Sequence, residues 1–280
     1  MRTINLVKDV SSSVLGFGCA PILGSVGAKM AHRAIDVAYE RGVTHFDLAR
    51  SYGYGEAENF VGKVMKGRRD KVVFASKFGI VANWKAQFLK PVKPLVRFIK
   101  RNKPKTMTVT IHVDDPGKDT IADRFLDRIP LSGAQMRISL EQSLRALRTD
   151  YLDYLFIHEP LTTVHEFEEL FTHAEKLKAE GKIRAWGLAY MRSKEQLHHQ
   201  YLNRFDVLQF DNSPGAVGYD ETVARRGPLP NVIFSPLRGG SNELSPTGKL
   251  QKLFTEFPSS VILCSMFDER HIHNNADIAG

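Results

Sequence analysis

Short apolar runs alternate along this chain with longer stretches whose apolar positions recur every three or four residues. The short runs, in order, are VLGFGCA, THFDLA, KVVFASKF, YLDYLFIH, IRAWGLA, DVLQFDN, NVIFSPL and SVILCSM. Runs this short, nearly continuous and rich in Val, Ile and aromatic residues predict strands covered on both faces. Between them AHRAIDVAYERG and ISLEQSLRALRT carry apolar residues at helical spacing, one closing at Gly42 and the other at Thr149-Asp150. VHEFEELFTHAEKLKAEGK repeats the pattern and stops at Gly181, a residue suited to the left-handed turn that ends helices. Strand and helix in alternation predict the α/β class, with a parallel sheet and crossover helices, and eight such strands predict a (β/α)8 barrel, the TIM-barrel architecture. One domain over 1–280 follows from the chain length.

The rhythm breaks once, between about 79 and 134, where a short connection from the third strand into the third helix is expected. That inserted segment is far longer than ordinary strand-to-helix loops, and as such a loop it leaves from the C-terminal end of the barrel. Inside it VKPLVRFIKRNKP places Val92, Leu95, Val96 and Ile99 near helical spacing, and TMTVTIHVDD alternates as a strand does, so a hairpin or extra strand is expected there. The segment reads in three ways: an embellishment with a solvated basic face, a lid over substrate, or a surface that meets anionic membrane or polymer.

Charge sharpens that picture. The formal net charge is +8, yet Lys85, Lys90, Lys93, Arg97, Lys100, Arg101, Lys103 and Lys105 stand together with no acidic residue among them. So local an excess points to a local anion or a solvated face, and a nucleic-acid partner is not expected. With 42% hydrophobic residues the chain can bury a full core. No apolar run has the length of a membrane span, and MRTINLVKDV lacks the apolar centre of a signal peptide, so the expected compartment is cytoplasmic. Cys19 and Cys264, on the first and last barrel strands, read as two buried packing thiols. No HExxH and no close Cys/His set suggests a metal site. His198 and His199, in a polar stretch, are expected to face solvent.

Four residues collect where a barrel keeps its chemistry, at or just past the C-terminal ends of predicted strands: Asp47, Tyr52, Lys77 and His158. Side chains on a strand alternate between faces, so His45, Asp47 and Ala49 share one parity, as do Val73, Ala75 and Lys77, and Asp47 and Lys77 can both point inward. Tyr52 lies beyond its strand and must fold back, which Gly53 and Gly55 permit. His45 falls one layer below Asp47 and reads as a packed core histidine.

These residues, in the strings HFDLARSYGYGE, VVFASKFG and DYLDYLFIHEP together with LGFGCAP and GKIRAWG, resemble the aldo-keto reductase superfamily over most of 14–275, apart from the inserted segment. The resemblance implies a nicotinamide-dependent reduction of an aldehyde or ketone, with a sugar or anionic carbonyl compound among the candidate substrates. It assigns Tyr52 as general acid-base, Lys77 as the ammonium that lowers the phenol's pKa, Asp47 as the lysine's partner and His158 as the group that orients the carbonyl. Its cofactor positions fall on Gln209 at the carboxamide, Phe234 against the nicotinamide ring, Ser235 and Leu237 beside the pyrophosphate, Arg270 as phosphate partner and Asn275 at the adenine. NADP(H) is the favoured cofactor on that basis, with NAD(H) the alternative. The family's N-terminal hairpin falls on MRTINLVKDVSSSV. Two departures stand out: Ala189 and Tyr190 replace a Ser-Asn pair that fixes the carboxamide, and from Asn274 the sequence can begin an eighth helix, while the family's long C-terminal segment that walls the pocket is not expected. No Gly-x-Gly-x-x-Gly precedes a helix, which argues against a Rossmann domain. The competing readings are an NADP(H)-binding sensor or regulatory subunit with little turnover, and a redox step on a phosphorylated or nucleotide-linked sugar.

Overall fold

The computed structural model describes residues 1–86, 123–240 and 243–280. Eight parallel strands close a barrel: β3 (Leu15–Gly18), β4 (His45–Asp47), β5 (Val73–Phe78), β8 (Leu152–His158), β9 (Ile183–Tyr190), β10 (Val207–Asp211), β11 (Asn231–Phe234) and β12 (Val261–Cys264). All eight coincide with the predicted runs. The barrel closes where β12 pairs with β3, Leu263 beside Gly16.

Parity divides the strands as expected. Val73, Ala75, Tyr154, Phe156, Ala185, Ala189, Val207, Val232, Val261 and Leu263 form one buried cluster in the lumen. Their neighbours Phe46, Phe74, Leu155, Trp186, Leu208, Ile233 and Ile262 belong to the larger cluster between strands and helices. Packing inside the lumen is tight enough to dictate residue size: a Cβ at Gly187 would stand 2.2 Å from the Val207 carbonyl oxygen and 2.6 Å from the Phe156 ring.

The outer helices are α1 (Ala28–Glu40), α2 (Ala57–Val64), α3 (Gly133–Leu147), α4 (Phe167–Ala179), α5 (Tyr219–Arg226), α6 (Pro246–Glu256) and α7 (Glu269–Ala279). Ser132 caps α3 by accepting from the Gln135 amide, and Ser245 caps α6 through Gly248. The left-handed Gly42 and Gly181 follow α1 and α4 as the sequence predicts. At the other end of the barrel β1 (Thr3–Val7) and β2 (Val10–Ser13) form an antiparallel hairpin. Leu6 and Val10 from this hairpin pack against the lumen cluster and close its floor.

The inserted segment begins and ends in a second antiparallel pair, β6 (Ile80–Ala82) with β7 (Leu126–Arg128). This pair continues directly from β5, and the Ile129 amide donates to the Gly79 carbonyl at 3.0 Å. The predicted helix over VKPLVRFIKRNKP and strand over TMTVTIHVDD lie outside the described residues, as does the basic run beyond Lys85. Cys19 and Cys264 are free and buried, and burial pushes both thiols up, Cys264 to about 12. Among the described residues no helix is long and apolar enough to cross a membrane.

Candidate functional site

β4 and β5 lie side by side, with Asp47 paired to Ala75, so Lys77 extends one layer farther toward the mouth on the inward parity. Its ammonium therefore reaches the end of β4. Nζ donates to Asp47 Oδ2 at 2.6 Å, to the Leu48 carbonyl at 2.8 Å and to the Tyr52 hydroxyl oxygen at 3.1 Å. Those bonds use all three ammonium protons, and Asp47 and Lys77 are both almost fully buried. Gln209, midway along β10 across the barrel, donates from Nε2 to Asp47 Oδ1 at 2.9 Å. Both carboxylate oxygens of Asp47 thus accept a bond, which satisfies a charge held in a low-dielectric lumen.

Tyr52 arrives from the loop after β4, where Gly53 at φ 62° and Gly55 at φ 85° supply the left-handed turns. A side chain at Gly53 is excluded twice, since its Cβ would also lie 2.5 Å from the Ile22 carbonyl oxygen. Because the Tyr52 oxygen accepts from Lys77, its own proton is free to be directed elsewhere. Burial, followed by the negative charges of Asp47 and Glu159, pushes the phenol well above its ordinary value of 10.0. The resemblance assigns Lys77 to lowering this pKa; the depth of the hydroxyl, which no motif reveals, acts the other way. At neutral pH Tyr52 is a protonated donor.

His158 ends β8 and presents its ring edge-on to Tyr52, with centroids 5.9 Å apart and planes at 81°. Burial, then the positive charges of Lys77 and Arg128, hold its pKa well below 6.5, so the imidazole is neutral. Its Nδ1 is buried without a hydrogen-bond partner, as are Gln209 Oε1 and both amide atoms of Asn212. Such orphaned atoms are costly unless something else meets them. Arg128, on β7 of the inserted pair, donates to the carbonyl oxygen of Glu159 at 2.7 Å and brings a cation to the rim beside His158.

The other predicted positions divide by location. Phe234, half-buried, ends β11 and packs against the lumen cluster, and Ser235 follows it with φ 53°. Leu237 is exposed on the next loop. Gln209, Phe234 and Ser235 thus share the mouth with Asp47, Tyr52, Lys77 and His158. Arg270 stands apart on α7, with Nη2 donating to Asp268 Oδ2 at 2.8 Å and Nε to Oδ1 at 3.1 Å. Asn275 on α7 is buried, its amide 3.7 Å from the Met266 sulfur. Ala189 lies in register with Gln209 and with His158, and the adjoining Tyr190 donates to Glu195 at 3.2 Å.

One expectation is overturned. His198 is completely buried, with Nδ1 2.7 Å from the Tyr201 hydroxyl, because two short 3-10 turns (Arg192–Leu197 and His199–Arg204) replace a regular helix and fold it inward. His199 alone of the pair is exposed. The sequence also gave no sign of the Leu48 carbonyl as a lysine acceptor or of Arg128 at the rim. Among the described residues no group of His, Cys, Asp and Glu side chains could hold a metal ion.

A model of the aldo/keto reductase family matches residues 14–214. The chain is 28% identical over 188 residues to aldo-keto reductase YhdN of Bacillus subtilis, covering 64% of this chain and 44% of that protein. It is 24% identical over 267 residues to the uncharacterized oxidoreductase YqkF of the same organism, covering 90% and 73%. Against methylglyoxal reductase YeaE of Escherichia coli it is 29% identical over 194 residues, covering 67% and 49%. The matches to YhdN and YeaE thus span less than half of those proteins. Among solved structures, a putative aldo-keto reductase from Pseudomonas aeruginosa superposes with a TM-score of 0.70 at 18% identity, covering 100% of this chain and 93% of that one. An aldo-keto reductase from Klebsiella pneumoniae in complex with NADPH gives 0.66 at 21%, covering 99% and 89%.

Proposed function

The chain belongs to the aldo/keto reductase family, and we propose that it reduces an aldehyde or ketone with a nicotinamide cofactor, Tyr52 serving as general acid. The observation that carries this reading is the Tyr52 hydroxyl, whose oxygen accepts from Lys77 at 3.1 Å and whose proton therefore points away from the lysine. The cofactor supplies hydride to the carbonyl carbon. The protein must supply the proton to oxygen, and a phenol kept protonated by burial is fit to give it. Lys77 then stabilises the phenolate that remains, while Asp47, itself held by Gln209, keeps the ammonium in place. His158, neutral and edge-on to Tyr52, offers a ring nitrogen that steers the carbonyl oxygen toward the phenol.

The residues at the mouth fit the nicotinamide end of such a cofactor. Gln209 has an orphaned carbonyl oxygen able to accept from a carboxamide, and Phe234 ends its strand as a half-buried aromatic ring. Fit at the adenosine end is poorer, because Arg270 is engaged with Asp268 and Asn275 is turned toward Met266. NADP(H) is favoured by analogy with relatives whose structures hold it, such as the Klebsiella complex. The substrate is a small carbonyl compound.

The test is Tyr52→Phe. Stopped-flow mixing of the protein and NADPH with a panel of aromatic, aliphatic and sugar aldehydes should show bleaching near 340 nm in the parent. In the variant kcat should fall by roughly 10²–10⁴, with NADPH affinity nearly unchanged. Turnover within tenfold of the parent removes Tyr52 from the role, and tight NADPH binding with no bleaching on any aldehyde would favour a sensor.

A further inference from the structure

Lys77 faces the lumen, so its neighbour Ser76 on β5 faces the helices. Ser76 is completely buried and donates to Glu58 Oε1 on α2 at 2.7 Å. The other oxygen of Glu58 accepts from Arg50 Nη1, and Arg50 Nη2 donates to Gln142 Oε1 on α3 at 3.0 Å. Glu58 is itself 1% exposed. Arg50 and Glu58 flank Tyr52 in the chain, and Ser76 is bonded covalently to Lys77. One buried carboxylate therefore joins both sides of the tyrosine loop to the strand that carries the lysine.

A buried ion pair is weak evidence for stability, since well-packed apolar residues often serve as well in its place. Its location here is more telling. The main-chain link between loop and strand at this point, Arg50 N to the Lys77 carbonyl, is 3.5 Å, longer than a normal N–H to O bond. Farther along, three backbone bonds lie within the loop: Tyr52 N to Ala49 O, Tyr54 N to Ser51 O and Gly55 N to Tyr52 O. They shape the turn, and the side-chain network joins the Lys77 ammonium in tying it to β5.

We propose that Glu58, through Ser76 and Arg50, is a positioning residue that holds Tyr52 in register with Lys77. Its effect on turnover rests on the reductase reading above, whereas its hold on the loop does not. Misplacing a proton donor by a fraction of an ångström lowers the chemical step more than it weakens ground-state binding. The groups facing the Tyr52 phenol are Asp47 from β4, Lys77 from β5, His158 and Glu159 at the end of β8, and Cys19 after β3. Lys77 is the nearby cation among them, so loosening its contact favours the neutral phenol.

Two measurements test the proposal on Glu58→Gln and on Ser76→Ala, the second a milder change that removes a single hydrogen bond. Hydrogen exchange of the amides in 48–56 should quicken tenfold or more in Glu58→Gln, and less in Ser76→Ala, with the strands of the barrel unaffected. With NADPH and 4-nitrobenzaldehyde, kcat should drop tenfold or more in Glu58→Gln while KM and NADPH affinity stay within threefold, and the alkaline limb of the kcat profile should move to higher pH. Arg50→Lys, which keeps the charge and loses the contact with Gln142, should fall between parent and Glu58→Gln. Unchanged exchange at 48–56 in both variants, or exchange quickened evenly across the barrel, overturns the proposal. If the parent reduces no carbonyl compound, the reductase reading falls, and exchange still decides whether Glu58 holds the loop.

Discussion

His45 and Asp47 stand two residues apart on one strand and face the same lumen, yet they belong to different environments. At the floor, His45 lies 3.2 Å from the Ser12 hydroxyl through Nδ1 and stacks on Tyr154 with ring centroids 5.8 Å apart. Burial, then the Lys77 charge, pushes its pKa down to about 3. At the mouth, Asp47 sits in equal seclusion but keeps company with an ammonium and an amide. One layer of the barrel solves the problem of a buried titratable group by neutralising it, and the next solves it by pairing. Only the second arrangement sets a half-buried phenol against an ammonium at the barrel mouth. The difference teaches that neither burial nor an orphaned atom marks a site by itself, since His45 Nε2 at the floor is orphaned too; the opposed charges are what set the mouth apart.

Changes at the two levels should therefore break different properties. The largest effect is expected from Lys77→Met, which removes the mouth's cation: kcat should fall by roughly 10²–10⁴, with the residual rate displaced to higher pH, as steady-state profiles would show. At the floor Tyr154→Ala should cost about 3–5 kcal/mol in denaturant unfolding, the usual range for emptying an aromatic site, with turnover per folded molecule retained. If that variant loses turnover in proportion to Lys77→Met, the two levels are not separable.

A finer test uses pH. His45 is neutral in the folded chain down to about 3 and titrates near 6.5 when unfolded, so between those values the unfolded state binds the extra proton. Stability is then fully present above 6.5 and lost as pH falls, by up to about 1.4 kcal/mol per pH unit for one such group. His158, also depressed, adds to the same slope. His45→Gln should flatten the dependence of unfolding free energy on pH between 6.5 and 4 by about one proton, and an unaltered slope would remove His45 as a source of acid sensitivity.

How much of this was legible beforehand varies by element. The eight barrel strands were, because runs such as YLDYLFIH declare themselves by length and composition, and parity then places Asp47 and Lys77 on the inward face. β6 and β7 were not. Their pairing spans the whole inserted segment, and Ile80 finds its partner only at Arg128. His198 was misjudged because its partner Tyr201 is three residues away, at a spacing a regular helix also gives, while its burial depends on where the 3-10 turns are packed. Glu58 stands in the first turn of α2. Nothing in the sequence announces that a carboxylate there meets Ser76 behind the strand. The raised phenol of Tyr52 was hidden for a related reason, since motif spacing names a neighbour but says nothing of depth.

The two thiols have a practical bearing on experiments of this kind. Cys19 and Cys264 are the chain's only cysteines, and both are shielded and held in the thiol form well above neutral pH. The natural chain is in effect a silent background for thiol labelling. Val217, 97% exposed on the loop after β10, lies on the mouth side of the barrel. A cysteine introduced there, as Val217→Cys, would be the one thiolate accessible to maleimide among the described surface, so a dye could report ligand arrival without stripping the native cysteines.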